Sequence, residues 1–492
     1  MTLHYEIGSL LQEIGIGQMN STAYDTAWIA RLSKLGEPLG YQALDWLREH
    51  QLPDGSWGTA NPACRHDRLV CTLAATIALS ENGDTRDSAR LQRARTALET
   101  TIPRISDDVL VETVGYELIV PTLFDEAEAL NIVLRHSYKD LARINRKRMA
   151  KLNALPGSMI NRFVTLAHSA EMAGSDGRRL LDVERLQEAN GSVGYSPAAT
   201  AYFALYVQLE DPAALRYLRS FPNSDGGSPD VYPIDVFEVG WTLWNLSLLD
   251  SLEDEVLDMC QPHLDFLESA WLSGPGVGFA AGYTTKDGDD SSVAYEVLTH
   301  FGRDVAVDPV LDYELDDHFR CFALEANPSV SANIHVLGAL RRAGYGLNHP
   351  SVQKIVTFLQ STQYWFDKWH MSPYYPTSHA VIACAGYADD LLFDAIAWIL
   401  STQNSDGSWG YFMPTAEETA YCLQALTIWN RTGHPVAPEV LQRGSDWLLE
   451  HADLPYPPLW IGKCLYCPPL VVRSTVLGAL ALVAEELGVA VW

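Results

Sequence analysis

The feature that most constrains the fold is a segment that returns. Gln51-Leu52-Pro53-Asp54-Gly55-Ser56-Trp57-Gly58 reappears as Gln403-Asn404-Ser405-Asp406-Gly407-Ser408-Trp409-Gly410, and more weakly as Gln187-Glu188-Ala189-Asn190-Gly191-Ser192-Val193-Gly194. Asp-Gly and Asn-Gly mark tight turns, because glycine accepts positive φ and Asn or Asp bonds its own backbone. Gln and Trp around such a turn can link the end of one helix to the start of the next. Stretches with a common small-large core follow: Thr200-Ala201-Tyr202, Val293-Ala294-Tyr295 and Thr419-Ala420-Tyr421. Thr419, Cys422, Leu423 and Leu426 have the spacing of a buried helical face. Few segments alternate as half-buried strands should. The expected fold is all-α, with helix hairpins closing into (α/α) double-ringed barrels, and repeats in both halves predict two of them. A chain of 492 residues is also too long for one small core.

Asp287-Gly288-Asp289-Asp290 falls at the turn into the Val293-Ala294-Tyr295 helix, hence at the mouth of an inner ring. Three carboxylates within four residues repel one another, so one pKa of the set rises and a carboxylic acid can stay protonated near neutral pH. The helix N-terminus works the other way and favours the ionised form. An acid kept neutral and stripped of water can protonate even a carbon–carbon double bond. Taken alone, the four residues read more simply as an exposed acidic turn or part of a calcium loop.

The formal charge of −28 argues against a nucleic-acid partner, which wants a basic footprint, and against docking on anionic lipid. An anionic substrate would need local Lys or Arg, or a metal ion, to overcome that field. Cys464 and Cys467 form a lone CxxC with no second pair at ligand spacing, so no zinc site is expected. Most of the eight cysteines lie in apolar surroundings, as free thiols do. The N-terminus lacks a basic region followed by an apolar stretch. No uncharged apolar run reaches the ~18 residues that span a bilayer. The expectation is a cytoplasmic, reduced protein without stable membrane insertion.

Together these segments resemble the class II terpene cyclases: Asp287-Gly288-Asp289-Asp290 matches their DxDD acid motif and the repeats match their QW motifs. Further agreement comes from Ser21-Thr22-Ala23-Tyr24-Asp25-Thr26-Ala27-Trp28, Tyr195-Ser196-Pro197, Asp367-Lys368-Trp369-His370, Thr415-Ala416-Glu417-Glu418-Thr419-Ala420-Tyr421 and Trp460-Ile461-Gly462-Lys463. The chain is most similar to the bacterial two-domain diterpene cyclases, such as the copalyl, halimadienyl (tuberculosinyl) and kolavenyl diphosphate synthases. The resemblance implies an N-terminal helix (1–18) packing with a β domain, a γ domain at 19–220 and the β domain at 221–492, with the substrate cavity between the barrels. A third, class I domain has no room. In Asp389-Asp390-Leu391-Leu392-Phe393-Asp394, Phe stands where the class I metal motif needs Asp, so diphosphate ionisation is not expected.

The implied reaction is cyclisation of geranylgeranyl diphosphate, begun by protonating its terminal double bond. Asp289 would be the general acid, with Asp287 and Asp290 positioning and tuning it. Tyr283, Trp365, Tyr421 and Trp460 are candidates to hold the cation by their quadrupoles, at roughly 0.5–2 kcal/mol each. His168 falls where plant relatives place a terminating His, and Asp230 where they carry Asn. A His beside a carboxylate would be held more basic, or would grip a water differently. That departure leans toward a rearranged halimadane or clerodane (kolavenyl-type) product, with unrearranged copalyl diphosphate as the alternative. Lys151, Lys368 and Lys463 are candidates for the diphosphate, aided by Mg2+, for which Asp107, Asp108 and Glu112 are candidate ligands. A downstream diphosphate-processing terpene synthase is the expected partner.

Three rivals fit less well. Squalene–hopene-type cyclases are longer and carry an apolar docking region. Protein prenyltransferase β-subunits need zinc ligands, which have no convincing match. A noncatalytic α-barrel binding module would have no need of three clustered carboxylates.

Overall fold

The computed structural model describes residues 3–107, 112–133, 138–155, 159–221, 223–274, 276–323, 325, 327–361 and 365–489. The chain begins with α1 (Leu3–Glu13). A first set of helices follows: α2 (Ala23–Ala30), α3 (Pro38–Glu49), α4 (Arg65–Asn82), α5 (Ser88–Thr101), α6 (Tyr116–Ala129), α7 (Leu141–Asn153), the irregular helical stretch Thr165–Asp176, α8 (Gly177–Leu180), α9 (Pro197–Tyr202) and α10 (Pro212–Leu218). The second set is α11 (Asp235–Leu246), α12 (Asp254–Leu272), α13 (Gly288–His300), α14 (Asp308–Leu311), α15 (Val330–Arg342), α16 (Pro350–Ser361), α17 (Tyr374–Cys384), α18 (Phe393–Ser401), α19 (Ala416–Arg431), α20 (Pro438–Glu450) and α21 (Pro469–Leu487). Among the described residues the strands are two residues each, β1 (Trp460–Ile461) and β2 (Leu465–Tyr466), paired antiparallel.

Among the described residues, each set closes into a ring. In the first, α2, α4, α6, the Thr165–Asp176 stretch and α9 touch in succession, and α9 returns to α2; α3, α5, α7 and α10 lie outside them. In the second, α11, α13, α15, α17, α19 and α21 touch in turn, and α21 closes on α11. Helices α12, α14, α16, α18 and α20 form its outer layer, and α1 joins them by packing on α12 and α21. The all-α double barrel expected from the repeats is what the chain forms. Burial divides the same way. One apolar core draws on α2–α10 together with Cys464, and the other on α1 and α11–α21. Inner helices are enclosed on every side, as in α15, where each residue from Val330 to Leu340 is buried. Outer α20 buries only a stripe, Leu441, Gly444 and Leu448, and its sequence is correspondingly amphipathic.

The repeated turns do the same job in each copy. The Gln51 amide donates to Gly55 O (2.9 Å) and to Arg90 O on the next outer helix (3.0 Å), while Trp57 Nε1 donates to Leu47 O on the preceding one (2.8 Å). Gln403 donates to Gly407 O and Val440 O, both at 3.0 Å, and Trp409 Nε1 to Ile399 O at 2.8 Å. The Trp57 and Trp409 backbone N–H groups donate to Thr72 and Thr419 on the inner helices, each at 3.0 Å. One turn therefore fastens two outer helices and one inner helix. In the weaker copy Gln187 keeps its bond to Gly191 O (3.1 Å) but reaches the Asp211 side chain (2.9 Å). No described helix is long and apolar enough to cross a membrane.

Candidate active site

Asp287 is the N-cap of α13: its carboxylate accepts the Asp290 N–H at 2.7 Å, a bond worth about 1 kcal/mol to a helix. This cap turns Asp289 inward. Asp289 keeps 17% side-chain exposure, while Asp287 is buried. Burial pushes Asp287 up to about 7, the Asp289 charge adds to this and the Asp290 N–H opposes it. Burial, then the Asp287 and Asp289 charges, raise Asp290 well above the carboxylate range. Repulsion and desolvation thus outweigh the helix N-terminus at these two positions.

Asp289 meets a partner that the local sequence does not show. His335 Nδ1, from α15, lies 2.5 Å from its Oδ1, and His335 Nε2 lies 2.9 Å from His379 Nδ1 of α17. Asp367 fixes α15 from outside, accepting the Val330 N–H (2.8 Å) and the Ser329 and Ser331 hydroxyls (3.0 and 2.8 Å). Rings surround the two imidazoles. Trp241 lies 4.8 Å from His335, and Tyr375 lies 4.4 Å and Tyr421 5.2 Å from His379. Trp460 is 5.1 Å from Tyr375 and 6.3 Å from Trp241. The buried Glu417 collects Trp460 Nε1 (2.8 Å), Tyr421 OH (2.9 Å) and His370 Nε2 (3.3 Å).

Of the other aromatic candidates, Tyr283 packs with Phe279 (4.3 Å) and Tyr195 (5.4 Å) in a separate small cluster. Trp365 follows α16, its Nε1 donating to Leu359 O at 3.4 Å.

A second polar cluster joins the barrels. The β1–β2 hairpin carries Lys463, wholly buried, whose ammonium donates to Glu171 (2.7 Å) and Ser196 (2.6 Å). Its backbone N–H donates to Asp230 Oδ2 at 2.9 Å, and Tyr24 OH donates to Glu171 at 2.9 Å. Burial opposes the Lys463 charge, but Glu171, Asp25 and Asp230 outweigh it and hold its pKa above the ordinary value. Burial raises Asp230, with Lys463 opposing. His168 Nε2 stands 3.9 Å from Asp230 Oδ1, while its Nδ1 is 3.1 Å from Gly194 O. The expectation that Asp230 makes His168 more basic is corrected here. Burial and the Lys463 charge push His168 down to about 3, so it is neutral.

The remaining cations are already paired, Lys151 with Glu117 and Lys368 with Glu325, and Lys368 also donates to Asn327 O at 3.0 Å. Glu112 is held by Lys147 (2.9 Å) and Arg143 (3.6 Å). Asp108 and the Asp107 side chain lie outside the described residues. The described part of that stretch offers one carboxylate, paired with two cations. Asp67, Cys71 and Cys464 also converge among the described residues. Asp67 there accepts the Thr59 and Leu465 N–H groups (2.7 and 2.9 Å), tying α4 to the hairpin.

A carboxyl lodged among neighbours that burial makes hard to ionise, backed by imidazole and walled by aromatic faces, is equipped to protonate a carbon–carbon double bond and shelter the cation. The family profile of the squalene-hopene cyclase C-terminal domain matches residues 318–453. The chain is 46% identical to a type B diterpene cyclase of Mycobacterium tuberculosis, covering 97% of this chain and 99% of that one. It is 33% identical to an ent-copalyl diphosphate synthase of a Streptomyces species, covering 89% and 88%. The solved ent-copalyl diphosphate synthase from Streptomyces platensis superposes with a TM-score of 0.79 at 30% identity, covering 98% and 99%. The chain belongs to the class II diterpene cyclases.

Proposed function

We propose that the protein cyclises geranylgeranyl diphosphate by protonating its terminal double bond and leaves the diphosphate in place. The observation that carries this reading is the position of Asp289, exposed on one side and bonded to His335 on the other. The His335 contact takes up Oδ1, so the acidic proton on Oδ2 can face the alkene. Asp290, held well above the carboxylate range, and Asp287, raised to about 7, limit the negative charge that would hold that proton back. Trp241, Tyr375, Tyr421 and Trp460 then stabilise the tertiary cation without offering it a nucleophile.

Termination falls to His168, neutral and therefore able to accept a proton. Its 3.9 Å gap to Asp230 suits a bridging water better than a direct bond. Asp230 is itself tied down by the Lys463 N–H. A base so constrained favours hydride and methyl shifts before deprotonation, hence a halimadane or clerodane (kolavenyl-type) diphosphate; the copalyl skeleton is the alternative. The diphosphate must displace Glu117 or Glu325 to reach Lys151 or Lys368. Mg2+ would enter with the diphosphate, and Asp107, Asp108 and Glu112 are its candidate ligands. A product that keeps its diphosphate calls for a second enzyme to process it. The buried free thiols suit a reducing cytoplasm.

Incubation with geranylgeranyl diphosphate and Mg2+, then phosphatase treatment and NMR of the alcohol, tests this. A bicyclic alcohol with migrated methyl groups is expected. An unrearranged bicycle selects the copalyl alternative, and unchanged geranylgeraniol overturns the proposal.

A further inference from the structure

His379 is bonded to His335, the ring that holds Asp289, and its surroundings fix its protonation. It is fully enclosed, with Tyr375 at 4.4 Å, Trp244 at 5.0 Å, Tyr421 at 5.2 Å and Trp241 stacked at 5.5 Å. The titratable groups facing the imidazole pair are Asp289 and Glu296 from α13, His370 and Tyr375 at and before the start of α17, and Tyr421 from α19. Burial holds His379 well below the ordinary histidine range. It is a neutral imidazole with a single N–H.

That N–H has one place to go. Nδ1 is 2.9 Å from His335 Nε2, and Nε2 is buried without a hydrogen-bond partner. A buried N–H left without an acceptor costs a full desolvation penalty, so the hydrogen belongs on Nδ1 and the lone pair faces the rings. The tautomer of the next ring follows, because the bond made by one imidazole nitrogen decides which nitrogen carries hydrogen. With Nε2 accepting from His379, His335 carries its hydrogen on Nδ1 and donates it to Asp289 Oδ1.

We propose that His379 is a positioning residue that selects the His335 tautomer and thereby keeps the acidic proton of Asp289 on Oδ2, turned toward the substrate. In the opposite tautomer, His335 Nδ1 is a lone pair. Asp289 then donates its proton to that nitrogen and points it away from the alkene. The proposal rests on Asp289 being the proton donor.

The test pairs two variants with a spectroscopic measurement on the full chain. His379→Leu removes the donor, and His379→Asn returns an amide N–H near the Nδ1 position. His379→Leu is expected to lower kcat severalfold with KM within about twofold, and His379→Asn to recover most of that loss. Nitrogen-15 spectra of histidine-labelled protein, with the His335 resonances identified by their loss in His335→Gln, should show hydrogen on Nδ1 alone in the wild type and a mixture of the two tautomers in His379→Leu, where nothing at position 379 bonds Nε2. Wild-type kcat in His379→Leu, or equal losses in the Leu and Asn variants with unchanged Tm, would overturn the proposal. So would a wild-type His335 with Nδ1 unprotonated, a result that needs no variant to fold. Activity retained by Asp289→Asn, measured alongside, would instead remove the acid assignment on which the proposal stands.

Discussion

The Lys463 ammonium, on the hairpin of the second barrel, donates to the Glu171 carboxylate of the first at 2.7 Å. It is the charge that Glu171, Asp25 and Asp230 share, all of them buried. Removing it strands those carboxylates, so Lys463→Met should cost about 3–5 kcal/mol, read as a lower Tm. A variant with wild-type Tm and only a raised KM would make Lys463 a diphosphate ligand instead.

The aspartates of the acid motif should separate by assay. Asp289→Asn is expected to lower kcat by about 10²–10⁴-fold at unchanged Tm, since Asp289 is not the cap. Asp287→Ala removes the α13 cap and should cost about 1 kcal/mol of stability besides activity. Equal Tm values for the two variants would contradict this division.

Stability should fall as pH rises through the weakly acidic range. Asp287 moves from 3.8 to about 7, Glu296 from 4.5 to about 7, and Asp290 also rises. Between those values the unfolded chain has released protons that the folded chain keeps. The contribution is therefore complete below about pH 4 and lost by about pH 7. Asp287→Asn should flatten the decline of Tm across that interval. An unchanged slope would show that Asp287 does not titrate there.

Two glycines with positive φ should respond unequally to alanine. A Cβ on Gly407 (φ 98°) would meet Arg443 O at 2.3 Å, whereas one on Gly83 (φ 69°) meets nothing within 4 Å. Gly83→Ala carries only the left-handed backbone cost, about 1–2 kcal/mol. Gly407→Ala must also move α20, and its melting temperature should be clearly the lower. Similar values would mean that the repeat turn yields more easily than its geometry implies.

The turns and the three aspartates were legible because each is local: a tight turn or a helix cap is written in consecutive residues. The barrel followed from their repetition. His335 and His379 were not legible, because they meet Asp289 only when the ring brings α13, α15 and α17 side by side. A signal for them does exist. They lie 46 and 44 residues along from Asp289 and from one another, the step that separates successive inner helices. The buried Lys463 shows the opposite failure. Its family motif was visible, but its three acidic partners come from distant parts of the chain, and only the assembled seam makes it an internal counter-ion.

Helix α1 belongs to the outer layer of the second barrel, although the whole first barrel separates them in sequence. In order of synthesis, the first barrel emerges as an insertion inside an unfinished second one. It can close while the ribosome is still at work, but α11 must wait for α21 to complete its ring, and α1 waits with it. When α12 emerges, the N-terminal segment gains one of its two partners, but the other side of its apolar face stays bare until α21 is made.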